Sequence, residues 1–159
     1  GQAGTDVLVF NGSGAAEIID LSANGARLRL TRNVANIVMD VDGMEQVNVN
    51  ALGGADNITV NSLAGTFVAQ INLNLASTIG GSSGDAQADA ITVNGTAAVD
   101  AFNLTVVSGG VNVSGLAASV RITNSEAAFD TLVVHGLGGT DTFTIGTGVS
   151  SLIGVTTNQ

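Results

Sequence analysis

An internal duplication constrains this chain more than any single motif does. DVLVFNGSGAAEIIDLS (6–22) lies over DAITVNGTAAVDAFNLT (89–105) at an offset of 83. Asp6 meets Asp89, Asn11-Gly12 meets Asn94-Gly95, Glu17 meets Asp100 and Leu21 meets Leu104. ARLRLTRNVANIVMD continues the match against GGVNVSGLAASVRIT, and a two-residue insertion near 124–127 then moves the offset to 85. EQVNVNALGGADNITV (45–60) accordingly lies over DTLVVHGLGGTDTFTI (130–145). Two copies of one unit account for nearly the whole chain: a first β repeat over 1–85 and a second over 86–159, forming one continuous body. A unit of this length copied in tandem is the signature of an architecture built by stacking equivalents.

Within each copy the apolar residues alternate. Arg27-Leu28-Arg29-Leu30 and Val47-Asn48-Val49-Asn50 show a period of two, which in a strand sends successive side chains to opposite faces. Strands are expected near 6–10, 17–22, 27–32, 36–41, 46–50, 57–60 and 67–75, with counterparts in the second copy. The gaps carry NG, DG, GG and SGG, and the chain holds 22 Gly and no Pro, a composition that favours strands joined by glycine turns. The expected fold is all-β: a right-handed parallel β-solenoid built from two repeats of about 83–85 residues. The alternative is an antiparallel β-sandwich, for which Asn-Gly at 11–12, 24–25 and 94–95 is a hairpin signal. In the solenoid, Asn48, Asn50, Asn57 and Asn61 are expected to stack as amide ladders. Phe10, Phe67, Phe102, Phe129 and Phe143 are expected in the core, and Arg27, Arg29 and Arg32 on one exposed strand face.

The paired turns LGGADNITV and LGGTDTFTI resemble degenerate copies of the haemolysin-type, or RTX, calcium-binding repeat, GGxGxDxUx with U a large apolar residue. The stretch from GTDVLVF to ALGGAD is also similar in style and motif order to segments that precede such arrays in large exported bacterial proteins. The resemblance implies export, an acidic Cys-free composition, folding outside the cell with calcium, and a role as adhesin, surface-layer protein or toxin. Each copy carries a single such turn, and Ala55 and Thr140 stand where the motif has its second glycine. Two readings of Asp56 and Asp141 therefore stand: calcium ligands, or Asx-turn acceptors for their own turn amides. Asp85, Gln87 and Asp89 alternate in GGSSGDAQADAITV (80–93) as a further cation candidate, with a hydrated inter-repeat loop as the other reading, and Asp40-Val41-Asp42-Gly43 is a third candidate. Calcium is the one cofactor expected.

Charge and composition exclude several classes. Thirteen acids face four bases, giving a net charge of -9, the wrong sign for a phosphate backbone. Apolar runs fall well short of the ~20 residues of a membrane-spanning helix. The start, GQAGTDVLVF, has neither the basic segment nor the apolar core of a signal peptide, and the chain reads as a piece of a longer polypeptide. His135 is the sole imidazole, and there is no Cys for a zinc site, no GxSxG elbow and no GK[ST] loop. A sugar-processing site is disfavoured by the absence of Trp, Tyr and Lys. The expected protein is therefore not an enzyme. It is an extracellular or cell-surface bacterial structural module (stalk, adhesin, surface-layer or filament subunit) that associates end to end with itself or with neighbouring repeats, without nucleic acid or membrane insertion. The alternative is a calcium-dependent module binding polysaccharide or another surface.

Overall fold

QVNVNAL shows how the sequence becomes structure here: Val47, Val49 and Ala51 are buried while Gln46, Asn48 and Asn50 line the outer surface. The computed structural model describes residues 4–159. Its strands are β1 (Val7–Ser13), β2 (Ile18–Asn24), β3 (Arg27–Arg32), β4 (Ile37–Val41), β5 (Gln46–Leu52), β6 (Asn57–Val60) and β7 (Gln70–Asn74) in the first repeat. The second repeat contributes β8 (Ala90–Asn94), β9 (Ala101–Val107), β10 (Gly110–Ser114), β11 (Ser119–Thr123), β12 (Thr131–His135), β13 (Thr142–Ile145) and β14 (Gly154–Asn158). The protein is all-β, with only two short 3-10 turns, Val34–Asn36 and Val149–Ser151, among the described residues.

The strands form two seven-stranded mixed sheets, ordered β1-β5-β7-β11-β10-β9-β13 and β14-β12-β8-β6-β2-β3-β4, here called sheets A and B. Their inward side chains share one core: Val47, Val49, Ile71 and Leu73 from sheet A join Ile19, Leu21, Ile58 and Ile91 from sheet B. Burying each such aliphatic side chain contributes roughly 1.5–3 kcal/mol. Eight of the twelve strand pairings are parallel, because the chain passes from one sheet to the other before returning beside its own earlier strand.

The duplication has a spatial meaning. The first repeat gives β1, β5 and β7 to sheet A and β4, β3, β2 and β6 to sheet B. The second does the reverse, giving β8, β12 and β14 to sheet B and β11, β10, β9 and β13 to sheet A. The repeats are thus related by an advance along the stack combined with exchange of the two sheets, equivalent to a half-turn about the stacking axis. They meet at two parallel pairings, β6 with β8 and β7 with β11.

Several expectations change. Each repeat contains a three-stranded antiparallel meander, β2-β3-β4 and β9-β10-β11, among its parallel strands. The second opens with Ser108 and Gly109 both at positive φ, the geometry of a tight hairpin turn. Of the three Asn-Gly pairs only Asn24-Gly25 makes a hairpin; the other two end strands that cross to the opposite sheet. The uniform offset of 83 also fails at β4. Leu30 pairs with Met39 and Val113 pairs with Val120, so Met39 is equivalent to Val120 and not to Ile122. The first repeat has the longer turn before β4, which holds the Val34–Asn36 segment, and the second has the longer connection after β11. Phe67 and Phe129 are exposed, since each sits in a turn, whereas Phe10 and Phe102 are buried and Phe143 stacks on Phe102 at 5.1 Å. Of the opening decapeptide, residues 1–3 lie outside the described residues.

Candidate functional site: carboxylate columns and open sheet edges

The position immediately before a strand is where an acid recurs. Glu17 precedes β2, Asp56 precedes β6, Asp89 precedes β8 and Asp130 precedes β12, all neighbours in sheet B. Stacking brings these four into one buried column. The Glu17 N–H donates to Asp56 Oδ1 (2.8 Å), the Asp56 N–H to Asp89 Oδ1 (2.9 Å) and the Asp89 N–H to Asp130 Oδ1 (3.1 Å). At the corresponding corner of sheet A the Asp100 N–H donates to Asp141 Oδ1 (2.8 Å), and the Asp6 N–H donates to Glu45 Oε2 (2.7 Å). The Asp141 N–H is taken by the side-chain oxygen of Gln159 at 3.0 Å. Asp56, Asp89, Asp130, Asp141 and Glu45 thus each satisfy an amide that would otherwise be orphaned at a corner, while the Glu17 carboxylate accepts the Ser13 hydroxyl.

Glycine makes room for the carboxylates. A Cβ on Gly12 would lie 2.5 Å from Glu17 Oε2, one on Gly95 would lie 2.7 Å from Asp100 Oδ2, and one on Gly136 would collide with Asp141 Oδ2. This accounts for the recurrent polar-Gly dipeptide at the end of β1, β8 and β12. In the LGG turns the requirement is different. Gly54 (φ +108°) and Gly139 (φ +94°) lie against the backbone of Ala15-Ala16 and Ala98-Val99, so that a Cβ would approach the chain to 2.6 and 2.7 Å. The turn repeated in the sequence is a nest for the previous coil's corner.

Burying four carboxylates in a row has an electrostatic consequence. Desolvation pushes Asp56 up to about 7, opposed by its hydrogen bond from Glu17 and reinforced by the charges of Asp89 and Glu17. Asp89 is likewise pushed up to about 7 by burial, against its bond from Asp56 and with the charge of Asp130 adding to the rise. Asp130 is raised for the same leading reason. Glu17 Oε2, Asp56 Oδ2 and Asp141 Oδ2 are buried without a hydrogen-bond partner. The base nearest the column is Arg32, whose Nε lies 3.4 Å from Glu17 Oε1 while its guanidinium covers the Phe10 ring at 5.7 Å. Arg32 therefore leaves the exposed face kept by Arg27 and Arg29, as its even position in the period-two pattern requires. Arg27 bonds Asp40 at 2.6 Å and holds that carboxyl below its ordinary range.

The cation candidates are distributed unevenly. Asp56 and Asp89 come together in the column, while Asp141 stands in the sheet A column. Asp85 lies outside both, accepting from the Gly54 N–H (2.8 Å) and the Gln87 N–H (2.9 Å), with the side chain of Gln87 exposed. Asp40 and Asp42 face Arg27. Among the described residues, no group of three His, Cys, Asp or Glu side chains is arranged to hold a metal ion. Glu17, Asp100 and Asp130 were absent from the sequence candidates, although an acid directly before consecutive strands is a legible signal once stacking order is known.

Outside the sheets run amide ladders. Asn50 donates to Asn11 (2.7 Å), Asn74 to Asn50 (3.1 Å) and Asn124 to Asn74 (2.6 Å), and Asn72 donates to Asn48 (2.7 Å). On sheet B, Asn94 donates to Asn61 (2.9 Å) and Asn61 to Asp20 (2.8 Å), and His135 continues that row beside Asn158. Asn48, Asn50 and Asn61 thus join ladders, while Asn57 stands exposed at the start of β6. The sheet A ladders floor a shallow groove of about 400 Å³ bordered by Val9 and Arg121.

Among the described residues the stack ends in four open edges. β1 and β4 bound it on one side, and β13 and β14 on the other. Val7, Val9 and Val38 are exposed along the first pair and Ile145 along the second, while Leu8, Met39, Val41, Phe143 and Val155 are only partly covered. No helix among the described residues is long and apolar enough to cross a membrane. No protein-family model matches the chain, and comparison with curated proteins and with solved structures gives no significant match.

Proposed function

We propose that the protein is a structural repeat module of a bacterial surface: a β-solenoid segment of a stalk, adhesin, surface layer or filament that associates end to end and performs no catalysis. The observation that carries this reading is the kinship of its edges. The strands left open at the two ends are the equivalents of the strands that pair where the two repeats meet. Open edges with apolar side chains and no Pro or Lys lack the usual guards against strand addition. The carboxylate columns and amide ladders fit a part whose task is to hold spacing, since they knit each coil to the next. An extracellular site agrees with the acidic, Cys-free composition and the RTX-like turns.

The competing reading of the same carboxylates is calcium stabilisation, with or without polysaccharide recognition along the amide groove. The structural reading is tested by imaging the purified chain over rising concentration and following its mass by light scattering. End-to-end particles that lengthen with concentration are expected, and particles that stay single at every concentration would remove the reading.

A further inference from the structure

We infer that a second copy of this chain adds to the first by simple advance along the stack, with its β1 pairing parallel to β13 and its β4 pairing parallel to β14, in the register of the internal junction. This rests on the structural reading above and specifies its partner and geometry.

The junction between repeats supplies the template. There β6 pairs with β8 as Asn57–Ala90, Ile58–Ile91, Thr59–Thr92 and Val60–Val93, and β7 pairs with β11 as Ile71–Val120 and Leu73–Ile122. β13 is the second-repeat equivalent of β6, and β1 is the first-repeat equivalent of β8. Carrying the register across places Thr142 opposite Val7, Phe143 opposite Leu8, Thr144 opposite Val9 and Ile145 opposite Phe10. β14 is likewise the equivalent of β7 and β4 that of β11. Through the Leu30–Met39 and Val113–Val120 pairings, Val155 then lies opposite Met39 and Thr156 opposite Asp40.

Three features fit this docking. Both new pairings are formed together, because β13 and β1 are edges of sheet A while β14 and β4 are edges of sheet B. The side chains that would turn inward are Phe143, Leu8, Val155, Met39 and Val41, the apolar groups left partly covered at the ends, whereas their junction counterparts Ile58, Ile91, Ile71, Val120 and Ile122 are fully buried. The carboxylate bridge also has its parts in place. Asp89 accepts the Asp56 N–H across the internal junction, and the corresponding pair is Asp141 with Asp6 of the added copy, at the site where the Gln159 side chain now takes the Asp141 N–H. Since one repeat exchanges the sheets and two restore them, the whole chain is one translational period. A copy therefore docks without the half-turn that relates the repeats.

The chain has no cysteine, so introduced thiols report the geometry without background. Val9→Cys chains are mixed with Thr144→Cys chains under mild oxidation and resolved without reductant. Both positions point outward, and adjacent strands hold opposed Cα atoms within disulfide reach. The expected result is a mixed dimer as the main linked species, several-fold above either variant alone and above Val9→Cys with Thr156→Cys, which would link only if β1 met the other sheet. Asp40→Cys with Thr156→Cys is the second pair and is expected to link as well, which keeps the test open should either first variant fold poorly. Growth of assemblies by light scattering with neither predicted pair linking would overturn the register while leaving end-to-end association in place. Single particles at all concentrations with no linking would overturn both.

Discussion

The backbone N–H of Asp56 donates to the side chain of Asp89 at 2.9 Å, and this bond joins the first repeat to the second. Both residues are almost wholly buried, and both are members of one column of four acids. The contact is at once a seam and a store of electrostatic strain.

The pH dependence of stability follows from that strain. Burial lifts Asp56 and Asp89 from the ordinary carboxylate range to about 7, so the folded chain holds protons that the unfolded chain releases. Such a group stabilises fully below its unfolded pKa, and its contribution disappears as pH rises through the folded one. The melting temperature is expected to be higher at about pH 5 than at about pH 8. Asp56→Asn/Asp89→Asn should flatten that slope and raise the melt at the alkaline end, since each amide retains an oxygen acceptor and sheds the charge. Thermal melts of both proteins across that range decide it.

Gly139→Ala should destabilise by about 2–3 kcal/mol or more, because the new methyl meets backbone that cannot swing aside. Gly14→Ala, in open space with no positive φ, is the matched control and should stay within about 0.5 kcal/mol of the parent in denaturant titrations.

Leu137 adopts φ 74° with its side chain exposed, a left-handed conformation that costs a leucine roughly 1–2 kcal/mol. Leu137→Asn should therefore stabilise, by about 0.5–1 kcal/mol, and urea midpoints at constant slope would show it.

Asn50 lies at the middle of a ladder, donating to Asn11 and accepting from Asn74. Asn50→Ala removes both bonds and should cost about 1–2 kcal/mol, while Asn57→Ala, outside any ladder, should be close to neutral.

Calcium has a direct readout. If the columns hold the fold by backbone bonds alone, chelator leaves the melt unchanged at neutral pH. A melt that falls with chelator and recovers with added calcium would assign Asp56, Asp89 or Asp85 to the ion.

The strands were legible in the sequence because period-two alternation is a local property: Val47-Asn48-Val49-Asn50 declares its two faces without reference to any neighbour. Partner choice was not. LRLTRNVANIVMD and VNVSGLAASVRIT carry the same alternation whether they stack on a later coil or fold back as hairpins, and Ser108-Gly109 decides only once its two positive φ angles are known. The candidate acids were half legible for a related reason. Asp56 and Asp141 stood out through their glycines, whereas Glu17, Asp100 and Asp130 became visible only when stacking aligned them. Phe67 and Phe129 mislead because aromatic character alone does not place a turn residue inside.

The exchange of sheets between one repeat and the next sets a rule of parity for any rod made this way. A groove or ladder borne by one repeat faces the opposite flank in its neighbour and returns to the original flank in the one after. Whatever decorates such a rod is therefore displayed left and right by turns, and an odd count of units lying between two attachments brings them to the same side, whereas an even count points them away from each other.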